Sequence, residues 1–104
     1  MFELELTHQY LKDLKLARKR GLDETKLNAV ILKLISGEEL PKKNRDHSLT
    51  GNYKGFRECH ISPDWLLIYS RDVTVKIVTL VRTGWFSLGF VLIRARKSGV
   101  FSFS

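Results

Sequence analysis

Cysteine is nearly absent from this chain: Cys59 is the single one in 104 residues. One thiol excludes an intrachain disulfide and a cysteine-built metal cluster. Histidine is scarce as well. His8, His47 and His60 have no metal-ligand spacing, so no metal and no cofactor is expected. No apolar run reaches the length of a membrane span. The opening Met1-Phe2-Glu3-Leu4-Glu5-Leu6 has neither the basic start nor the long apolar stretch of a secretory signal. A cytoplasmic protein with no membrane partner is the expectation.

Acidic residues are the other shortage. Against 18 Lys and Arg stand 11 Asp and Glu, a formal charge of +7. Residues 1–50 hold ten basic and eight acidic side chains, whereas residues 51–104 hold eight and three. The second half therefore carries most of the excess, a field that favours an anionic partner such as nucleic acid or an acidic protein. A chain of this length supports one small core.

Phe2, Leu4 and Leu6 alternate with Glu3 and Glu5, which predicts a short strand. Thr7 is placed to cap a helix over residues 8–20, with Tyr10, Leu11, Leu14 and Ala17 as its apolar stripe. Lys12, Asp13, Lys15 and Lys19 are read as its outer, charged face, and Gly21 ends it. Asp23 caps a second helix whose stripe is Leu27, Val30, Ile31, Leu34 and Ile35, closed by Gly37 and Pro41. Residues 38–55 read as a long polar loop. Three strands follow at 56–61, 65–70 and 73–81, joined by short turns as an antiparallel meander. The fold class is α+β: a leading strand and a helical hairpin packed on an antiparallel sheet. The domain is assigned to residues 1–90, and residues 91–104 form an atypical extension, either a further strand or a disordered tail.

The candidate site lies where the meander begins. His60 ends an alternating run, and Asp64 follows across the Ser62-Pro63 turn. An imidazole takes and gives protons near neutral pH, and RNA cleavage needs that service twice: at the attacking 2′-OH and at the leaving 5′-oxygen. Asp64 is placed either to orient His60 or to act on a proton itself. His47, in the basic loop, is a second proton-transfer candidate. Arg82, read as ending the third strand, suits a phosphate. Lys54 and Arg57 are phosphate positioners. Cys59, opposite His60 by strand alternation, belongs to the core.

The blocks Asp46-His47-Ser48-Leu49, Gly51-Asn52-Tyr53-Lys54-Gly55-Phe56-Arg57-Glu58-Cys59-His60, Pro63-Asp64-Trp65-Leu66-Leu67-Ile68-Tyr69 and Leu80-Val81-Arg82-Thr83-Gly84 resemble, in order and spacing, the YafQ branch of the RelE/ParE superfamily, over residues 3–90. That resemblance implies a RelE-like microdomain and a toxin of a type II toxin–antitoxin pair. It implies a metal-independent endoribonuclease that enters the ribosomal A site, against rRNA, and cuts mRNA by 2′-OH attack. A cognate antitoxin is implied too, through which the complex binds operator DNA. The catalytic set it implies is His47, His60, Asp64 and Arg82. It makes Trp65 a support residue and RNA contact, and Phe90 the near-terminal aromatic.

The sequence departs from that pattern after Arg82-Thr83-Gly84. Where the family carries a histidine, this chain has Phe86, which transfers no proton, and it continues for 14 residues past Phe90. A change of reading frame would account for both departures. Phe86 is kept as an RNA-binding candidate. Two alternative functions follow: a weakened or inactive relative that still binds antitoxin or ribosome, and a ParE-like gyrase inhibitor. The second is disfavoured because such a protein needs no acid–base set.

Overall fold

The computed structural model describes residues 1–85; residues 86–104, with Phe86, Phe90 and the expected extension, lie outside the described residues. The chain runs β1 (Glu3–Leu6), α1 (His8–Lys19), α2 (Glu24–Ile35), β2 (His47–Ser48), β3 (Arg57–Ser62), β4 (Trp65–Asp72) and β5 (Ile77–Trp85), with 3-10 turns at Lys42–Asn44 and Gly51–Tyr53. Both predicted caps are present. The Thr7 hydroxyl accepts from the Tyr10 N–H at 2.9 Å, and the Asp23 carboxylate accepts from the Thr25 N–H at 3.0 Å.

The sheet order is β1-β5-β4-β3-β2. β3, β4 and β5 form the expected antiparallel meander, but β1 joins β5 in parallel, from Glu3 opposite Ile77 to Leu6 opposite Leu80, so the sheet is mixed. β1 is an edge strand, and Leu4 and Leu6 remain over 40% exposed. Beyond β1 the start of α1 takes over the β5 edge: the Thr7 N–H donates to the Leu80 carbonyl and its hydroxyl to the Val81 carbonyl.

β4 is buried on both faces, which is why Trp65 to Tyr69 read as an unbroken apolar run. One face, with Trp65, Leu67 and Tyr69, packs with Cys59, Val78 and Leu80 against Tyr10, Ala17, Leu27, Val30 and Leu34 of the helices. Leu66 and Ile68 turn to the other face and form a smaller cluster with Tyr53 and Val81, edged by Leu49 and Phe56. The expected loop at 38–55 therefore contains structure of its own. It supplies β2 and the Tyr53 plug, which covers the second face.

Three other expectations are corrected. Leu11 is 47% exposed and lies off the α1 stripe. The third meander strand starts at Ile77, since residues 73–76 form the turn: the Asp72 carboxylate accepts from the N–H groups of Thr74 and Val75, and Lys76 has φ of 59°. The same strand runs past Arg82 to Trp85, so Arg82 sits inside it.

Candidate active site

Strand pairing brings the site residues together. His47 on β2 is opposite Glu58 on β3, Glu58 is opposite Ile68 on β4, and Ile68 is opposite Arg82 on β5. These four form one row across the sheet. The next row holds His60, Leu66 and Gly84. Residues two apart on a strand share a face, so Glu58 and His60 project to one side, that of the Ile68–Leu66 cluster. The rows are spaced by two residues, roughly 7 Å. Gly84 leaves its end of the His60 row without a side chain.

His47 is held at both ring nitrogens. Nδ1 lies 2.8 Å from the Arg45 carbonyl oxygen, and Nε2 lies 3.2 Å from Oε1 of Glu58. A carbonyl only accepts, so Nδ1 carries a hydrogen. Nε2 faces the Glu58 carboxylate. The Glu58 side chain is 2% exposed while that of His47 is 48% exposed, so the ring is the solvent-facing end of the pair.

The loop that carries His47 is tied to the sheet by Asp46. Its carboxylate accepts from the Tyr69 hydroxyl at 2.6 Å and from Arg57 Nε and Nη2 at 3.2 Å, and Arg57 Nη1 donates to Ser48 Oγ. Burial and the Asp46 acceptor raise the Tyr69 hydroxyl far above its ordinary pKa, so it donates at any physiological pH. The bond from Asp46 likewise raises the Arg57 pKa. Arg57, expected as a phosphate positioner, thus has its guanidinium engaged in anchoring β2. Asp46→Ala should destabilise the fold by about 1–3 kcal/mol, because it strands the buried Tyr69 hydroxyl. Urea denaturation measures this, and a loss under about 0.5 kcal/mol would refute the anchoring role.

His60 is half-buried and oriented by backbone. Its Nδ1 lies 3.1 Å from the Pro63 carbonyl oxygen. Nδ1–H therefore donates there, and Nε2 is the ring nitrogen left as an acceptor. Asp64, expected either to orient this ring or to act on a proton itself, is exposed on the turn, and the contact that orients Nδ1 is the Pro63 carbonyl. From the other side the buried Asn44 amide donates to the His60 carbonyl at 2.6 Å, fixing the strand where its pairing shifts between His60 and Ser62.

Arg82 is 8% exposed and bound to a residue that the sequence reading placed on the solvent face. Asp13 of α1 accepts from Arg82 Nε and Nη2, each at 3.0 Å, and from the Thr83 N–H at 3.2 Å. Trp65, read as an RNA contact, is 3% exposed. Its indole donates to Thr83 Oγ1 at 2.8 Å and stacks edge-on with Trp85, so in this position it supports the β4–β5 end and presents no face to a base. Lys54 is exposed. Cys59 is fully buried, as expected, and burial raises its pKa well above the ordinary thiol value, leaving it an inert thiol. Among the described residues, no three His, Cys, Asp or Glu side chains are grouped to hold a metal ion, and no helix is long and apolar enough to cross a membrane.

Two residues of this site, Glu58 and Asp13, were missed in the sequence, and each had a signal. Glu58 precedes His60 by two on a strand and so shares its face. Asp13 is three residues from Tyr10 and four from Ala17, the two buried residues of α1, so it lies within the inward stripe rather than opposite it.

The family model for the bacterial toxin of the type II toxin–antitoxin system, YafQ, matches residues 2–88. The chain belongs to the YafQ family of toxins. The mRNA interferase toxin YafQ of Escherichia coli K12 is 43% identical over 83 residues, 79% of this chain and 88% of that protein. The crystal structure of YafQ from E. coli strain BL21(DE3) superposes with a TM-score of 0.78 at 37% identity, covering 86% of this chain and 99% of that one. YafQ in the E. coli DinJ–YafQ complex gives a TM-score of 0.77 at the same identity and coverage. The RelE-like architecture expected from the sequence, helices packed on a largely antiparallel sheet, is the one observed.

Proposed function

We propose that this YafQ-family toxin is an mRNA endoribonuclease whose chemistry is carried by the face of the sheet that bears His47, Glu58, His60 and Arg82. The observation that carries the reading is the pairing register, which sets two imidazoles and a guanidinium in two neighbouring rows. His60 Nε2 is the base for the 2′-OH, since Nδ1 is committed to Pro63. The His47–Glu58 pair holds the proton that the leaving 5′-oxygen needs. Arg82 offsets the charge that develops on the phosphate. Lys54 binds the RNA backbone. Asp64, exposed beside His60, adds a carboxylate near the site.

The relatives named as mRNA interferases support mRNA as the substrate, and the E. coli toxin–antitoxin complex supports a cognate antitoxin as partner. The YafQ resemblance extends the reading to mRNA held on the ribosome, in the A site and against rRNA. Binding of operator DNA would then be the antitoxin's contribution. The test is induction of the full chain in a translating extract, followed by primer extension on the mRNA. Cuts that appear only with ribosomes support the reading. Intact mRNA accompanied by inhibition of gyrase would replace it with the ParE-like one.

A further inference from the structure

We propose that Asp13 is the positioning residue of the site: it aims Arg82, and the phosphate clamp works only while Asp13 holds it. This rests on the reading of Arg82 given above.

Three observations support it. First, the contact is two-pronged. Asp13 Oδ2 meets Arg82 Nε and Oδ1 meets Nη2, both at 3.0 Å, and this fork-to-fork geometry fixes the plane of the guanidinium as a single contact cannot. Second, Asp13 is itself braced. The Thr83 N–H donates to Oδ2 and the Gln9 side-chain amide to Oδ1 at 3.1 Å, so the carboxylate has little freedom to follow a wandering arginine. Third, the pair is dry: side-chain exposure is 10% for Arg82 and 11% for Asp13, where water competes little.

The anchor also comes from a different layer. Asp13 lies on α1, and α1 is pinned to β5 through Thr7 just before the strand reaches Arg82. The helix therefore registers the arginine against the sheet row that holds His47 and Glu58. Nε and Nη2 of Arg82 are committed to Asp13, so the orientation of the guanidinium toward a phosphate is the one that Asp13 sets. An arginine released from Asp13 has many rotamers, and loss of orientation at a reacting centre lowers the rate without necessarily weakening binding.

The test uses the full chain. In wild-type protein labelled with ¹⁵N, the Nε–H of Arg82 should give a resolved resonance protected from exchange. Asp13→Ala and Asp13→Asn should both move it. In single-turnover cleavage on programmed ribosomes, Arg82→Ala should slow the step about 10²–10³-fold. Asp13→Ala should slow it at least about tenfold at saturating toxin, with the half-saturating concentration little changed. The double variant should be no slower than Arg82→Ala alone, since the effect of Asp13 runs through Arg82. Asp13→Asn, which keeps an acceptor for the Thr83 N–H, should fold and fall between. Losses that multiply in the double variant, or Asp13 variants that cleave at the wild-type rate while the Arg82 resonance moves, would overturn the proposal. Wild-type cleavage by folded Arg82→Ala would instead overturn the role of Arg82 itself, and the resonance would still report whether the pair exists.

Discussion

His60→Ala should cleave mRNA roughly 10²–10⁴-fold more slowly than the unaltered chain while remaining folded, the scale of a lost general base. The geometry behind this is specific. The Pro63 carbonyl occupies Nδ1, so the ring offers one nitrogen to the substrate, and it lies two residues along β3 from Glu58 on the same face. His60 is half-buried and its side chain fills no core position, so truncation should cost little stability. The bond from the Asn44 side-chain amide to the His60 carbonyl survives the change. Single-turnover cleavage on ribosomes gives the rate, and circular dichroism with urea denaturation checks the fold. His60→Gln is a useful companion: it refills the space without a titratable nitrogen and should be as slow. Cleavage within about threefold of the unaltered chain by both folded variants would remove His60 from the chemistry and shift proton transfer to the His47–Glu58 pair.

Much of the fold was legible in the sequence because the signals were redundant. α2 had a cap residue, an apolar stripe and a terminating glycine, and Leu27, Val30 and Leu34 are buried as their spacing requires. Elsewhere one local signal outweighed another. Val73 and Val75 are β-branched and read as strand, yet the Asp72 carboxylate binds the N–H groups of Thr74 and Val75 and bends the chain into a turn, leaving both valines exposed. The parallel pairing of β1 with β5 joins residues over 70 positions apart in the sequence, and nothing in Glu3 to Leu6 encodes a partner.

The site was legible in its members and not in its connections. His47 and His60 stood out as residue types, but what holds each ring did not. Pro63 orients His60 through a backbone carbonyl, which has no signature in an amino-acid alphabet, and Asp64 next to it was the more conspicuous carboxylate. Asp13 and Arg82 illustrate the complementary difficulty. A charged side chain is assigned to solvent by default, as Asp13 was, and Arg82 was assigned to a phosphate, although the two satisfy one another out of water. A buried pair of opposite charges cannot be recognised from either member alone.

Phe86→His should raise the cleavage rate, by roughly 10²–10⁴-fold if the family histidine at that position is the leaving-group acid. The YafQ resemblance implies a histidine soon after Arg82-Thr83-Gly84, and Phe86 transfers no proton. The described part of the site has one imidazole free to accept, His60, and one already paired, His47 with Glu58. If His47 supplies the acid through that pair, the gain from a new histidine will be small. A large gain would mean that His47 does not supply the leaving-group acid. Residues 91–104 enter the comparison too, so the substitution belongs in the full chain and in a chain ending after Phe90. Four proteins are then compared in single-turnover cleavage on ribosomes, with folding checked in each. Equal rates for all four would show that position 86 has no part in this enzyme's chemistry and that the resemblance does not carry over there.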